Sequence, residues 1–136
     1  MYANGRGVPK DEAEAVKWYR NAATQGHASA QFSLGVIYDN GLGVPKDEAE
    51  AVKWYRKAAD QGDATAQFGL GLMYVNGRGV PKDEAEAVKW YRNAASQGHA
   101  SAQCSLGLMY AVGRGVIKDH VQALTWVNVA GSSEPV

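Results

Sequence analysis

Residues Asn4 to Ala23 read NGRGVPKDEAEAVKWYRNAA. The run recurs unchanged from Asn76 to Ala95, and again from Asn40 to Ala59 with only Leu42 and Lys57 different. Taken alone, two glycines one residue apart, then a lysine and a helix start, suggest a phosphate cradle. The context speaks against it: no strand-like run precedes the glycines, and no Lys-Ser or Lys-Thr pair follows them. A phosphate site has no need of such copying, whereas a unit that stacks on itself does. Trp18, Trp54, Trp90 and Trp126 stand 36 residues apart, as do Tyr2, Tyr38, Tyr74 and Tyr110. The paired glycines that begin at Gly5, Gly41, Gly77 and Gly113 keep the same step, and so do Pro9, Pro45 and Pro81 until Ile117 breaks the series. A period of this size marks a solenoid, in which each unit buries its apolar face only by stacking on its neighbours.

Two helical patterns fill each unit. In the first, the A helix, Ala30, Leu34, Ile37 and Tyr38 share one side of a helix from about Ala28 to Asp39, with Gly35 beside them where a second backbone could come close. In the second, the B helix, Ala15, Val16, Trp18, Tyr19, Ala22 and Ala23 form a wide apolar face, opposite Glu14, Lys17, Arg20 and Asn21, which read as a solvated face. Asn40-Gly41 closes an A helix with a left-handed cap, and Val44-Pro45 carries an extended connector. Asp47 followed by Glu50 has the pattern of a capping box at the start of the next B helix. Gln61-Gly62-Asp63 is a short turn between antiparallel helices.

The composition agrees with one stack of helices. The chain has 136 residues, of which 46% are hydrophobic, enough for a continuous core. Fourteen basic and fourteen acidic side chains cancel. That balance lacks the electrostatic footprint of a nucleic-acid binder, and no apolar run approaches the roughly 20 residues that a membrane-inserted helix needs. Cys104 is the only cysteine, so no intrachain disulfide forms.

The run Ala30 to Tyr38, AQFSLGVIY, followed by NGLGVPKD and EAVKWYRKAADQG, resembles the Sel1-like repeat, a relative of the tetratricopeptide repeat with a longer, glycine-rich loop. Alanine, Leu-Gly, tyrosine, the paired glycines, Trp-Tyr and Ala-Ala before Gln-Gly all fall in register over nearly the whole chain. The resemblance implies an all-α, right-handed superhelical solenoid of antiparallel helix pairs. In it the A helices line the concave side, and the module serves as an adaptor or scaffold for other proteins. A cysteine-rich branch of the family, discussed in connection with penicillin binding and β-lactamase activity, carries paired cysteines in each repeat. This chain has none, and the enzyme association does not transfer.

Comparison of the units with one another separates scaffold from candidate function. The B helices are nearly frozen across the first three units, whereas the A helices vary at the series that begin at Ser29, Phe32, Ser33, Val36, Ile37 and Asp39. At about 100° per residue, all but the Ile37 series lie on an arc opposite Ala30, Leu34 and Tyr38. The expected partner-binding stripe on the concave face is Phe32, Val36, Asp39, Phe68, Leu72, Val75, Cys104 and Leu108. An exposed apolar stripe of this kind suits an extended or helical peptide. The competing reading is that Phe32 and its equivalents pack on the adjacent A helix. Gln31, Gln67 and Gln103 are expected to bond connecting backbone, and the tryptophans to pack in the core. His27, His99 and His120 fit turns or caps. Helix layers about 10 Å apart separate them too far for a shared metal, and Cys104 and His99 point about 140° apart on their helix.

At the ends, Met1-Tyr2 aligns with Met73-Tyr74, so the chain reads as a section of a longer array that opens in the last turn of an A helix. The first B helix then exposes Trp18, Tyr19 and Val16, which predicts self-association or fraying there. The last helix carries Val121 and Val129 where earlier B helices have Ala85 and Asn93, so its outer strip is expected to contact a following helix or another chain. The expected organisation is one repeat domain over residues 1–131, with a partial repeat 1–26, repeats 27–62, 63–98 and 99–131, and a disordered tail 132–136. The function expected is a non-enzymatic scaffold that binds a protein or peptide, without cofactor, metal, nucleic acid or membrane insertion, and with homo-oligomer formation through either end. The alternative is a purely architectural segment with no groove ligand.

Overall fold

The computed structural model describes residues 8–132. The opening glycine pair, the alignment of Met1-Tyr2 with an A helix and the tail beyond Ser132 lie outside the described residues. Within them the chain forms seven α-helices and no strand: α1 (Val8–Thr24), α2 (Ala28–Asn40), α3 (Glu48–Asp60), α4 (Ala64–Asn76), α5 (Glu84–Ser96), α6 (Ala100–Val112) and α7 (His120–Ser132). The A helices are α2, α4 and α6, and the B helices are α1, α3, α5 and α7. Packing runs overwhelmingly between neighbours in the chain, as the 36-residue repeat requires.

The punctuation follows local chemistry. Gly41, Gly77 and Gly113 end the A helices at φ 68°, 64° and 74°, a left-handed conformation that costs glycine nothing. The Gly41 N–H returns to the Ile37 carbonyl. The Asp47 carboxylate then caps α3 by accepting from the Glu50 N–H at 3.1 Å, and Asp83 caps α5 in the same way at 3.0 Å. The reciprocal half of the expected capping box is not made. The Asp47 N–H donates instead to the Tyr38 carbonyl (2.9 Å), because the connector folds back on the A helix, while the Glu50 carboxylate accepts from Trp54 Nε1 (3.1 Å).

The apolar face predicted for the B helix is the core. Ala51, Val52, Trp54, Tyr55, Ala58 and Ala59 are all buried, as are their equivalents in α5. Leu34, Leu70 and Leu106 of the A helices are fully buried against them, each stabilising the stack by about 2 kcal/mol. Each interior tryptophan also reaches back one unit: Trp54 joins a cluster with Val16 of α1 and Leu34 of α2, and Trp90 joins one with Val52 and Leu70.

One close approach differs from expectation. What abuts Gly35 is an aromatic ring and not a backbone: a Cβ there would sit 2.5 Å from Cδ1 of Tyr55. The Tyr55 ring lies between successive A helices, with Gly35 of α2 on one side and Gly69 of α4, at 3.7 Å, on the other. Tyr91 repeats the contact at Gly71. In α7 the tyrosine is replaced by Val127, which meets Gly107.

Candidate functional site

The loop that opened the question is lined, in its second copy, by Lys46, Asp47 and Glu48. Two carboxylates, one of them capping α3 and the other 3.8 Å from Lys46 Nζ, make it a poor cradle for phosphate. Among the described residues no three His, Cys, Asp or Glu side chains converge as metal ligands would. No helix is long and apolar enough to cross a membrane.

The stripe beginning at Phe32 was expected on the outer side of the A helices. Phe32 and Val36 are half-buried against the cluster that contains Ala66, Leu70 and Met73 of α4. The Phe32 and Tyr55 rings lie 5.7 Å apart, tilted by 32°. Phe68, Leu72 and Val75 take the same places against α6, with the Phe68 ring 5.7 Å from Tyr91 and 4.9 Å from His99. Each of these rings thus packs on the aromatic residue of its own B helix as well as on the next A helix, so the arc thought to face away from the B partner is partly covered by it. Cys104 and Leu108 remain exposed, with no further A helix beyond them among the described residues. Exposed surface between these ridges comes from Ser29, Thr65 and Ser101.

Asp39 is engaged rather than free. Its carboxylate accepts from the Tyr55 hydroxyl (3.2 Å) and pairs with the Arg78 guanidinium, whose Nε also donates to Glu48 at 3.0 Å. Burial first, and then the Asp39 carboxylate, hold the Tyr55 phenol far above its ordinary range. Tyr91 faces Val75 in place of an aspartate, and burial pushes it up to about 12. The hydrogen bond to Glu48, against a smaller desolvation cost, raises Arg78 further. Arg114 repeats the clamp on Glu84 alone, with Nε at 2.8 Å and Nη2 at 2.7 Å. Arg78 and Arg114 each stand 30 residues after the glutamate they meet, so the contact recurs in step with the units.

A second ladder corrects the reading of Arg20 as merely solvated. Arg20, Arg56 and Arg92 each donate to the hydroxyl of the tyrosine 18 residues on, Tyr38, Tyr74 and Tyr110. Their guanidinium groups lie 5.7, 5.5 and 5.9 Å from the same rings.

The glutamines are structural linkers. Gln31, Gln67 and Gln103 donate through Nε2 to the carbonyls of Ala23, Ala59 and Ala95 at the end of the preceding B helix. His99 is the N-cap of α6, its Nδ1 accepting from the Ala102 N–H (3.2 Å). Desolvation favours the neutral ring that this bond requires, against the opposing pull of Asp63. His27 holds the equivalent position without a side-chain cap bond.

At the N-terminal end, Trp18 is 68% and Tyr19 41% exposed, whereas Val16 is buried beneath α2. At the other end Val121 and Val129 are exposed on the outer strip of α7.

The comparisons with known proteins fit this architecture. The Sel1 repeat family matches residues 1–27, 28–63, 64–99 and 100–131. No curated protein matches the chain. A protective antigen of uropathogenic Escherichia coli superposes with a TM-score of 0.90 at 44% identity over 96% of this chain. A Sel1 repeat protein from Oxalobacter formigenes does so with 0.84 at 44% identity over 88%. The chain spans only 28% and 48% of those two proteins. Cysteine-rich protein B of Helicobacter pylori shares the fold at 24% identity and a TM-score of 0.74, over 96% of this chain and 94% of that one. With all four repeats matched and the helix pairs superposing, the chain belongs to the Sel1 repeat family.

Proposed function

We propose that the chain is a non-enzymatic interaction scaffold that holds a protein or peptide against the outer, concave side of α2, α4 and α6. Sel1 repeats are generally protein-interaction modules, which supplies the class. The observation that carries the reading for this chain is a division within each unit. Of the A-helix positions identical between units, Ala30, Gln31, Leu34 and Gly35 are buried, as are their equivalents, while Ala28 and Tyr38 are half-buried. The positions that vary, apart from the Ile37 series, all retain exposed surface. Stacking constrains the first set, and a partner would read the second. Half-buried Phe32, Val36, Phe68, Leu72 and Val75 form ridges of the floor, with Ser29 and Thr65 open between them. An extended or helical segment with small apolar anchors suits such a floor.

The test is affinity capture from a lysate, comparing the wild-type chain with a Ser29→Arg/Thr65→Arg variant. Both residues are exposed, so the variant should keep its helicity, which Phe32→Glu or Phe68→Glu would endanger by breaking ring contacts. A protein captured by the first and lost from the second places binding on this face. Equal capture by both, or none by either, favours the architectural alternative.

A further inference from the structure

We propose that the exposed face of the B helices is a docking track for an acidic segment of another polypeptide, held in the polyproline II conformation and laid along the stack across α1, α3 and α5. Two independent observations specify that occupant. The first is the distribution of charge. Residues three and four apart share a helix face, which gathers Lys17 and Arg20 on α1, Lys53, Arg56 and Lys57 on α3, and Lys89 and Arg92 on α5. All are exposed except Arg56, which is half-buried. Equivalent positions recur from one B helix to the next at the layer spacing of about 10 Å, so these cations form a row across three helices of a chain that is neutral as a whole. The acids of the face stand beside the row, with Glu14, Glu50 and Glu86 a turn before it and Asp60 a turn after.

The second observation is how the arginines are held. Arg20, Arg56 and Arg92 each donate to a tyrosine hydroxyl and lie over the same ring, which fixes the side chain without cancelling its charge. Among the described residues no carboxylate forms an ion pair with any of the three, nor with Lys17 or Lys57. Lys53 and Lys89 do pair, with Glu50 at 3.6 Å and Glu86 at 3.8 Å. Arg78 and Arg114 make the contrast, since carboxylates already engage their guanidinium groups. A neutral hydroxyl occupies only part of the guanidinium fork, and the remaining N–H groups suit an incoming carboxylate. Polyproline II brings every third residue to the same edge after about 9.3 Å, close to one layer of the stack. A segment with an acid every three residues therefore meets one arginine per layer. The row of Glu14, Glu50 and Glu86 repels the unbroken phosphate charge of a nucleic acid, whereas a peptide can place neutral residues there.

The probe is the fluorescein-labelled peptide EPPEPPEPPEPP, titrated with the full chain by anisotropy at about 0.02 M salt. Saturable binding is expected, about threefold or more tighter than to EEEEPPPPPPPP, which has the same composition without the spacing. Arg56→Gln and Arg92→Gln, each checked for native helicity, should weaken it about threefold or more, and so should a rise to about 0.2 M salt. Lys46→Gln/Lys82→Gln removes more charge, but from the connectors, and should leave binding unchanged. Ser29→Arg/Thr65→Arg, on the A-helix face, should not weaken it, which keeps this proposal separable from the groove reading. No saturable binding up to about 1 mM would overturn the proposal. Equal weakening by the connector variant would do so too, by reducing the effect to overall charge. If Arg56→Gln lowered Tm and left the affinity as it was, the arginines would be latches between helices and no docking track. A short single-stranded DNA that displaced the peptide at lower concentration would give the row to a nucleic acid instead.

Discussion

Gly35 carries no side chain, yet it sets how closely two layers of the stack can approach. A methyl group there would stand 2.5 Å from Tyr55, whose buried ring is held by its hydroxyl on Asp39 and by Phe32 at 5.7 Å. Alanine gains about 1 kcal/mol in intrinsic helix preference, while overpacking a fixed ring costs about 1–3 kcal/mol. Gly35→Ala should therefore be destabilising on balance, by about 1 kcal/mol, as read from the midpoint of urea unfolding. Gly69 is the internal control, since a methyl group there meets the other side of the ring at an ordinary 3.7 Å. Gly69→Ala is expected to be neutral or stabilising by up to about 1 kcal/mol. If the two variants matched, the ring would be free to move and the layer spacing would have another cause.

At the scale of the element, the loops act as clasps between units. Arg78 joins the end of α2, through Asp39, to the start of α3, through Glu48, while Leu42 stands where the other loops carry arginine. Glu12 packs against Gly43 beside that leucine, so Leu42→Arg should recreate the clasp on Glu12. These groups are partly exposed, and the gain is expected at no more than about 1 kcal/mol. Arg78→Leu should lose a similar amount. Both shifts in Tm should shrink between about 0.05 and 0.5 M salt, and a shift indifferent to salt would point to packing of the arginine stem. The clasp also marks where the sequence stops being legible. Helix faces, glycine caps and the period follow from contacts within a few residues, and they were readable as such. The reach of Tyr55 to Asp39 and of Arg78 to both Asp39 and Glu48 depends on how one unit is rotated against the next, which no local pattern encodes. For the same reason Phe32 read as outward, though Tyr55 covers part of it.

For the whole molecule, energy is stored between neighbours, and its distribution follows from which faces are covered. Helices α3, α4 and α5 have a packed helix on both sides, whereas α1 leaves Trp18 and α7 leaves Leu124 largely in solvent. In a stack where each unit touches only the next, local opening is cheapest at the ends and dearest in the middle. Amide hydrogen exchange should therefore be fastest in α1 and α7 and slowest in α3 to α5. A buried change in the middle tests whether the middle acts as one unit. Leu70 is fully buried in α4, so Leu70→Ala should cost about 2–5 kcal/mol and lower protection in α3, α4 and α5 together. It should leave the exchange of α7 nearly as it was, because α7 opens without them. A single protection level shared by all seven helices, falling everywhere with Leu70→Ala, would show that the stack unfolds as a whole. The exposed ends would then not be its weak points.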